Sequence, residues 1–272
     1  MKITEADLPA IRADLPELVR KNVEQLDSHC NTAQTVGSNG LEAAYRLQAI
    51  LSYLETGSAG GFFHGMYMAA AVRRRFLRCV RRGMRAKKTE LLLSNDAGIH
   101  EALCSGEARV LNDLARDKLT LESDPRVDNA YAPLFALGVR LLCMGQHQKA
   151  RDPFTAFERE RSGAMEGHSK IARGILEADF VLFNDGLAEL LAERAAAIEA
   201  DDDLPTGEQW LSIEGIALAR LGLSSGIPVT ASHPLVPRPL LGQPTVPYPD
   251  SDALLPPIPE TFLVVLVDEE TE

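Results

Sequence analysis

Apolar residues recur along most of the chain at the spacing of an amphipathic helix. The first such stripe lies between Leu8 and Leu26, and a second follows Phe62 to Met84. From Leu176 to Leu191 the apolar positions follow steps of i, i+4 and i+7 over four turns. A repeat near 3.6 residues is what one buried helical face requires. The pattern therefore predicts an all-α protein.

The breaks between the stripes divide the predicted helices. A polar, glycine-containing stretch, Asn31–Gly40, is expected to be a loop, with a helix from about Leu41 to Leu54 after it. Gly145 separates a helix over 130–144 from its partner over 146–161, because glycine readily forms a left-handed C-terminal cap. The clearest single helix is expected between Ser169 and Ala200. This rhythm predicts a multi-helix array of helical hairpins, solenoid-like or bundle-like.

The character of the chain changes at Ile227. Ten of the sixteen prolines fall between Pro228 and Pro259. Proline lacks a backbone donor and fixes φ, so neither a helix nor a central strand can run through such a stretch. The sequence therefore predicts a helical domain over residues 1–226 and a proline-rich extended tail over 227–272, packed on the helices or trailing from them. Phe262–Val267 could form one short strand.

Composition also indicates where in the cell the protein is located. Apolar residues make up 45% of the 272 residues and aromatic ones only 6%, and leucine and alanine dominate, which suits helices packed on helices. The start of the chain has no apolar run typical of a secretory signal, and no stretch reaches the ~20 apolar residues of a membrane span. The four cysteines are scattered, which favours free thiols in a reducing cytoplasm. We therefore expect a cytoplasmic protein with no membrane contact.

Charge is distributed unevenly. The net charge is −11, yet nine basic and no acidic residues lie between Arg73 and Lys88, so the rest of the chain carries −20. This balance argues against non-specific nucleic-acid binding. The basic segment could pair with acidic groups of the same chain, meet a protein partner, or contact nucleic acid or lipid.

The acidic remainder has two interpretations as well. It could serve solubility alone, or it could recognise a basic partner, because complementary charge raises association rate and specificity. The densest internal acidic cluster is Asp201-Asp202-Asp203, with Glu208 nearby. These four residues are the predicted partner-binding site.

Motifs for catalysis or cofactor binding are weak. Gly57–Gly61 lacks the order and the following Lys-Ser/Thr of a phosphate loop. Asp96 and His100 share a helical face but lack further metal ligands, and no nucleophile motif occurs. The acids are expected to form surface runs, without two acids isolated in apolar sequence where burial would separate their pKa values. The sequence therefore predicts no catalytic residue, cofactor or metal, and no enzyme.

Three stretches resemble the immunity protein 49 family of bacterial polymorphic-toxin systems. They are Tyr131-Ala-Pro-Leu-Phe-Ala-Leu-Gly-Val-Arg-Leu-Leu, Gly174-Ile-Leu-Glu-Ala-Asp-Phe-Val-Leu-Phe-Asn-Asp-Gly, and Trp210-Leu-Ser-Ile-Glu-Gly-Ile-Ala-Leu-Ala-Arg-Leu, which leads into Gly-Ile-Pro-Val. The likeness covers roughly residues 90–240 and lies in helix patterning more than in polar motifs. It implies an all-α cytoplasmic protein that binds and blocks a cognate toxin domain. It brings no catalytic residues.

Three hypotheses follow. The first is an immunity protein that neutralises a toxin, such as a nuclease, with the toxin as its partner and a homodimer as an option. The second is a helical-repeat adaptor or scaffold. The third is an enzyme with a helical active site around Asp96, His100 and nearby acids.

Overall fold

The computed structural model describes residues 5–93, 98–121, 131–200, 207–245 and 247–262. Within these ranges the chain is built of helices and irregular segments, and the predicted all-α class is confirmed. The α-helices are α1 (Leu8–Leu26), α2 (Asn31–Thr56), α3 (Ala59–Arg81), α4 (Ile99–Ser105), α5 (Ala108–Ala115), α6 (Lys118–Leu121), α7 (Ala132–Cys143), α8 (His147–Glu160), α9 (Glu166–Glu177), α10 (Phe180–Glu199), α11 (Ile213–Ser224) and α12 (Ser251–Leu254).

Helices that follow one another in the chain pack side by side. The pairs α1 and α2, α2 and α3, α7 and α8, and α9 and α10 make the most extensive of these contacts. Helix α3 also packs on α4 and α5, while α11 packs on α4 and α10. The predicted multi-helix array is therefore confirmed, and α3 and α4 lie at its centre.

The connection between α2 and α3 is short. Gly57 ends α2 in the left-handed conformation, with φ of 65°, and its N–H bonds to the carbonyl oxygen of Tyr53 at 2.8 Å. The Ser58 hydroxyl then caps the first turn of α3. The glycine-rich segment is thus a helix–helix connection and gives no phosphate loop of the kind that follows a strand.

The expected loop at Asn31–Gly40 is wrong, because α2 begins at Asn31. The glycines there allow two helices to approach. A Cβ atom on Gly37 would lie 2.9 Å from the backbone oxygen of Asn22 and 2.8 Å from Gln25 Cβ, both on α1. Tertiary packing therefore overrides the low helix propensity of glycine.

The expected single helix over 169–200 is also wrong. It divides into α9 and α10 at Ala178, whose φ is 54°. The carboxylate of Asp179 then accepts hydrogen bonds from the backbone of Val181 and Leu182, both at 3.0 Å, and so starts a new helix. The apolar stripe continues across this break, although Phe180 itself is exposed.

The first arginines of α3 lie in the interior of the protein. Arg73, Arg74 and Arg75 are all buried. Arg74 pairs with Asp113 at 3.1 Å and with Asp252 at 2.9 Å. Of the alternatives for the basic segment, these contacts favour intramolecular pairing for its first half. The second half, from Arg81 onward, is largely exposed.

The described part of the tail crosses the helical body. The ring of Tyr248 stacks on that of Tyr67 with centroids 4.4 Å apart, and Tyr67 Oη donates to the carbonyl of Pro249 at 2.6 Å. Arg75 donates to the carbonyls of Pro256 and Pro257 at 2.8 and 3.1 Å. Buried arginines therefore satisfy carbonyl groups that the proline-rich backbone cannot pair in a ladder.

Two further predictions concern the short strand near the C-terminus and contact with a membrane. Apart from Phe262, the predicted strand Phe262–Val267 lies outside the described residues. Among the helices that are described, none combines the length and the apolar character needed to cross a membrane.

Candidate functional site

A polar cleft opens where α2, α3, α4, α10 and α11 meet. Its volume is about 490 Å³. Exposed residues at its edge, among them Asn39, Ala43 and Thr89, leave it open to solvent. The ionisable side chains that line it are Glu42, Arg46, Arg73, Glu90, His100, Glu101, Arg194, Glu208 and Glu214.

One wall of the cleft holds two carboxyl groups around one arginine. Glu42 and Arg46 stand one turn apart on α2, so their side chains lie on the same face. Arg46 Nη2 donates a hydrogen bond to Oε1 of Glu101 and lies 3.6 Å from Oε1 of Glu42. Glu101 Oε2 also accepts the backbone N–H of Gly98 at 3.0 Å. Glu101 is therefore well satisfied, whereas Glu42 has only a long ion pair.

Gly98 brings this wall close to α3. Its φ is +82°, a conformation that favours glycine, and a Cβ atom there would lie 2.8 Å from Cβ of Arg73. The close approach places α4, and with it Glu101, beside the buried face of α3.

The opposite wall is a chain of ion pairs. Arg194 Nη2 on α10 lies 3.4 Å from Oε2 of Glu208 and 3.5 Å from Oε2 of Glu214. Oε1 of Glu214 is 2.8 Å from Nε2 of His168 on α9. Ser212 caps α11 by accepting the N–H of Gly215 at 3.0 Å, which orients Glu214 in the first turn of that helix.

Carboxyl groups outnumber guanidinium groups in the cleft. Five carboxyl groups line it against three guanidinium groups, as the residues named above show. The ion pairs of Glu42 and Glu208 are longer than hydrogen bonds, at 3.6 and 3.4 Å. The arginines therefore neutralise these two acids incompletely.

Burial separates the pKa values of the acids on the first wall. Burial raises the pKa of Glu42 to about 7, and the neighbouring charge of Glu101 adds to this, although Arg73 and Arg46 oppose it. Burial also acts to raise the pKa of Glu101, but the charges of Arg46 and His100 and a backbone hydrogen bond outweigh it, and the pKa falls. Two nearby acids thus differ in protonation near neutral pH.

The acids of the second wall differ in the same way. Burial raises the pKa of Glu208 in spite of Arg194. Burial would raise the pKa of Glu214 too, but the hydrogen bond and charge of His168 lower it to about 2. Each wall therefore pairs one acid whose pKa is lowered with one whose pKa is raised.

Glu42 is held by an ion pair and not by a hydrogen bond. Its residue is 8% exposed, and within the described part of the chain its carboxyl group accepts no hydrogen bond and lies 3.6 Å from Nη2 of Arg46. Among the residues that line the cleft, Nε of Arg46 and Nε of Arg73 are buried without a hydrogen-bond partner. Buried polar groups in folded proteins are usually hydrogen-bonded, so these two nitrogens are donors that lack an acceptor.

The structure brings some of the sequence-predicted residues to this cleft. Glu208, predicted to bind a partner, is buried in the second wall beside Arg194. Asp201, Asp202 and Asp203 lie outside the described residues, as does Asp96. His100, which was considered together with Asp96 as a metal ligand, lines the cleft.

The expectation that no two acids are isolated in apolar sequence is wrong. Glu42, Glu101 and Glu214 each stand among apolar or small neighbours within a helix, and burial separates their pKa values. Sequence reasoning missed all three, together with Arg46 and Arg194. The available signal was the single acid in apolar helical sequence, which the denser Asp201–Asp203 cluster obscured.

A metal site does not emerge from these acids. Within the described ranges, no three histidine, cysteine, aspartate or glutamate side chains converge as metal ligands would. Arginine lies between or beside the carboxyl groups on both walls. Coordination of a divalent cation would require displacing those guanidinium groups.

The comparisons with known proteins leave the family open. Neither protein-family models, nor curated proteins, nor solved structures match the chain.

Proposed function

We propose that this protein is an immunity protein that binds a cognate bacterial toxin domain in the cytoplasm and neutralises it without catalysing a reaction. The observation that carries the proposal is the open cleft with its excess of carboxyl groups. A partner with a basic surface, such as the substrate groove of a nuclease, is complementary to it. The resemblance of residues 90–240 to an immunity family supports the same partner class.

The charge of the molecule supports this mode of action. Outside the segment from Arg73 to Lys88 the chain carries −20, and the arginines Arg73 to Arg75 are buried and engaged within the chain. An acidic surface speeds encounter with a basic partner, by ~10- to 1,000-fold in favourable cases. Neutralisation then follows from occlusion of the toxin's working surface.

Co-expression tests the proposal directly. The chain is expressed together with the toxin-like protein encoded beside its gene, and both cell survival and co-purification are measured. Survival together with a stable complex is the expected result. Absence of binding and of protection against every toxin encoded nearby would contradict the proposal.

A charge variant tests the predicted contact cluster. Changing Asp201, Asp202 and Asp203 together to asparagine is expected to slow association with the toxin several-fold and to flatten its salt dependence. A matched control changes the exposed acids Asp152, Glu160 and Glu193 to their amides, which alters the net charge equally. Equal slowing in both variants would assign the effect to net charge rather than to a contact.

A further inference from the structure

The second half of the basic segment presents exposed cations that the described acids do not pair. These cations follow the last residue of α3 and form what we call the basic surface: Arg82, Arg85, Lys87 and Lys88. Within the described ranges, none of the four forms an ion pair with a carboxylate. Favourable interaction of a cation with the helix dipole is confined to the last turn, so it does not account for the three cations that lie well beyond α3.

The described acids that contact the same end of α3 are engaged by other groups. Asp252 pairs with Arg78 at 2.9 Å, and Asp117 pairs with Arg81. The carboxylate of Glu90 accepts a backbone N–H three residues before it, at 3.0 Å. These carboxylates are therefore committed to groups other than the side chains of the basic surface.

The tail ends its described path beside the basic surface. The carbonyl oxygen of Thr261 lies 3.0 Å from Nδ1 of His29, in the connection between α1 and α2. Oδ1 of Asn31 accepts the backbone N–H of Arg85 at 3.3 Å. Because His29 and Asn31 are only two residues apart, their backbones are separated by at most about 7 Å. The tail and the basic surface are therefore attached to neighbouring points of the same connection.

The sequence beyond this point carries the opposite charge. Residues 268–272 lie outside the described residues and contain no base but four acids, namely Asp268, Glu269, Glu270 and Glu272. Seven residues lead from Thr261 to the first of these acids, and seven residues span up to about 25 Å. Through His29 and Asn31, the backbones of Thr261 and Arg85 lie within roughly 20 Å of each other. The acids are therefore within reach of the basic surface.

We propose that the acidic residues 268–272 bind the basic surface of the same molecule. Contacts between exposed charges are individually weak. Here the chain itself links the two groups, so binding is intramolecular, with an effective concentration in the millimolar range. The bound acids shield the end of α3 from polyanions, in a protein whose remaining surface repels them. This inference does not depend on the proposed function.

Amide chemical shifts of the full chain test the contact. The tail variant changes the four acids of residues 268–272 to their amides. A matched variant changes four exposed acids of α8 and α10 and so alters the net charge equally, by Asp152→Asn, Glu160→Gln, Glu193→Gln and Glu199→Gln. At low salt the amide signals of residues 82–88 should shift in the tail variant and stay in place in the matched variant. At about 1 M salt, where the screening length is about 3 Å, the difference should vanish.

Three results of this comparison would overturn the inference. The first is an unchanged set of signals from residues 82–88 in the tail variant at low salt. The second is an equal shift in both variants, which would reflect net charge alone. The third is a shift that persists at about 1 M salt, which would exclude an electrostatic contact.

A second copy of the chain is the competing source of the acids. Intramolecular binding does not depend on protein concentration. The shift difference between the unaltered protein and the tail variant should therefore be the same when the concentration is raised about tenfold. A difference that grows with concentration would assign the acids to another molecule and refute the intramolecular contact.

Binding of a polyanion tests the shielding. A single-stranded oligonucleotide of thymidines is titrated into the unaltered protein and the two variants at low salt. The tail variant should bind it at least threefold more tightly than the matched variant, because the basic surface is then accessible. Further replacement of Arg82, Arg85, Lys87 and Lys88 by glutamine should remove this gain. Equal affinities in the tail and matched variants, or a gain that survives loss of the basic surface, would contradict the shielding.

Discussion

Replacing Glu42 by glutamine removes a charge while it preserves the size and shape of the side chain. Burial raises the pKa of Glu42 from 4.5 to about 7, so the folded state binds a proton that the unfolded chain releases. Stability therefore falls as pH rises from about 4.5 through 7, because ionisation of this group is more favourable in the unfolded chain. Glutamine lacks this ionisation and should be insensitive to it.

The expected magnitude follows from that pKa difference. The pKa rises from 4.5 to about 7, and this difference corresponds to roughly 3 kcal/mol at pH 8, where Glu42 is ionised in both states. The free energy of unfolding of Glu42→Gln should therefore exceed that of the unaltered protein by about 3 kcal/mol at pH 8. At pH 5 the folded protein keeps Glu42 protonated, and the gain should shrink to about 1 kcal/mol or less.

Urea unfolding followed by circular dichroism at the two pH values measures both numbers. Glu193→Gln, at an exposed position on α10, is the matched control and should change stability by less than about 0.5 kcal/mol at either pH. A loss of stability in Glu42→Gln at pH 8, or an equal gain at both pH values, would refute the reasoning. The first result would mean that the long ion pair with Arg46 outweighs burial.

Three other predictions probe the second wall, the packing and the tail. Glu214→Gln should lower stability by about 2 kcal/mol at pH 7, because the pKa of Glu214 is about 2 and its ionised form stabilises the fold above pH 4.5. Urea unfolding at pH 7 and at pH 3 should show that this difference becomes smaller in acid. A difference that stays constant between the two pH values would contradict the prediction. Gly138→Ala should lower the melting temperature through a loss of about 1–3 kcal/mol, since a Cβ atom there would collide with the Phe154 ring, 2.6 Å from both Cδ1 and Cζ and nearer still to Cε1. Gly60→Ala, with its nearest contact at 3.8 Å, should leave the melting temperature unchanged. Arg75→Lys should speed hydrogen exchange in residues 250–262, because lysine cannot donate to the carbonyl groups of Leu26, Pro256 and Pro257 together. Arg85→Lys, at an exposed position, is the control. Equal exchange rates in the two variants would exclude Arg75 as an anchor of the tail.

Helix type was predictable and helix ends were less so. The apolar stripe that begins at Phe62 is a local feature, and α3 carries most of it. The caps at Gly57 and Ser58, which set the ends of α2 and α3, were not predicted. Gly37 and Ala178 show the limit. A glycine that signals a loop in sequence allows α1 and α2 to approach closely, and an alanine with positive φ divides a stripe that looks continuous. The local sequence does not distinguish this glycine from a glycine in a loop, or this alanine from an alanine within a helix.

The sequence by itself determined that this protein is helical, that its charge is strongly acidic outside one basic segment, and that a proline-rich tail follows the helices. Tertiary structure alone decided that Arg73 to Arg75 point inward and that Glu42, Glu101, Glu208 and Glu214 share one cleft. The physical reason is that helical periodicity and net charge depend on neighbours along the chain. Burial of an acid, its pKa and its missing hydrogen bond depend instead on helices that are distant in sequence and packed against it.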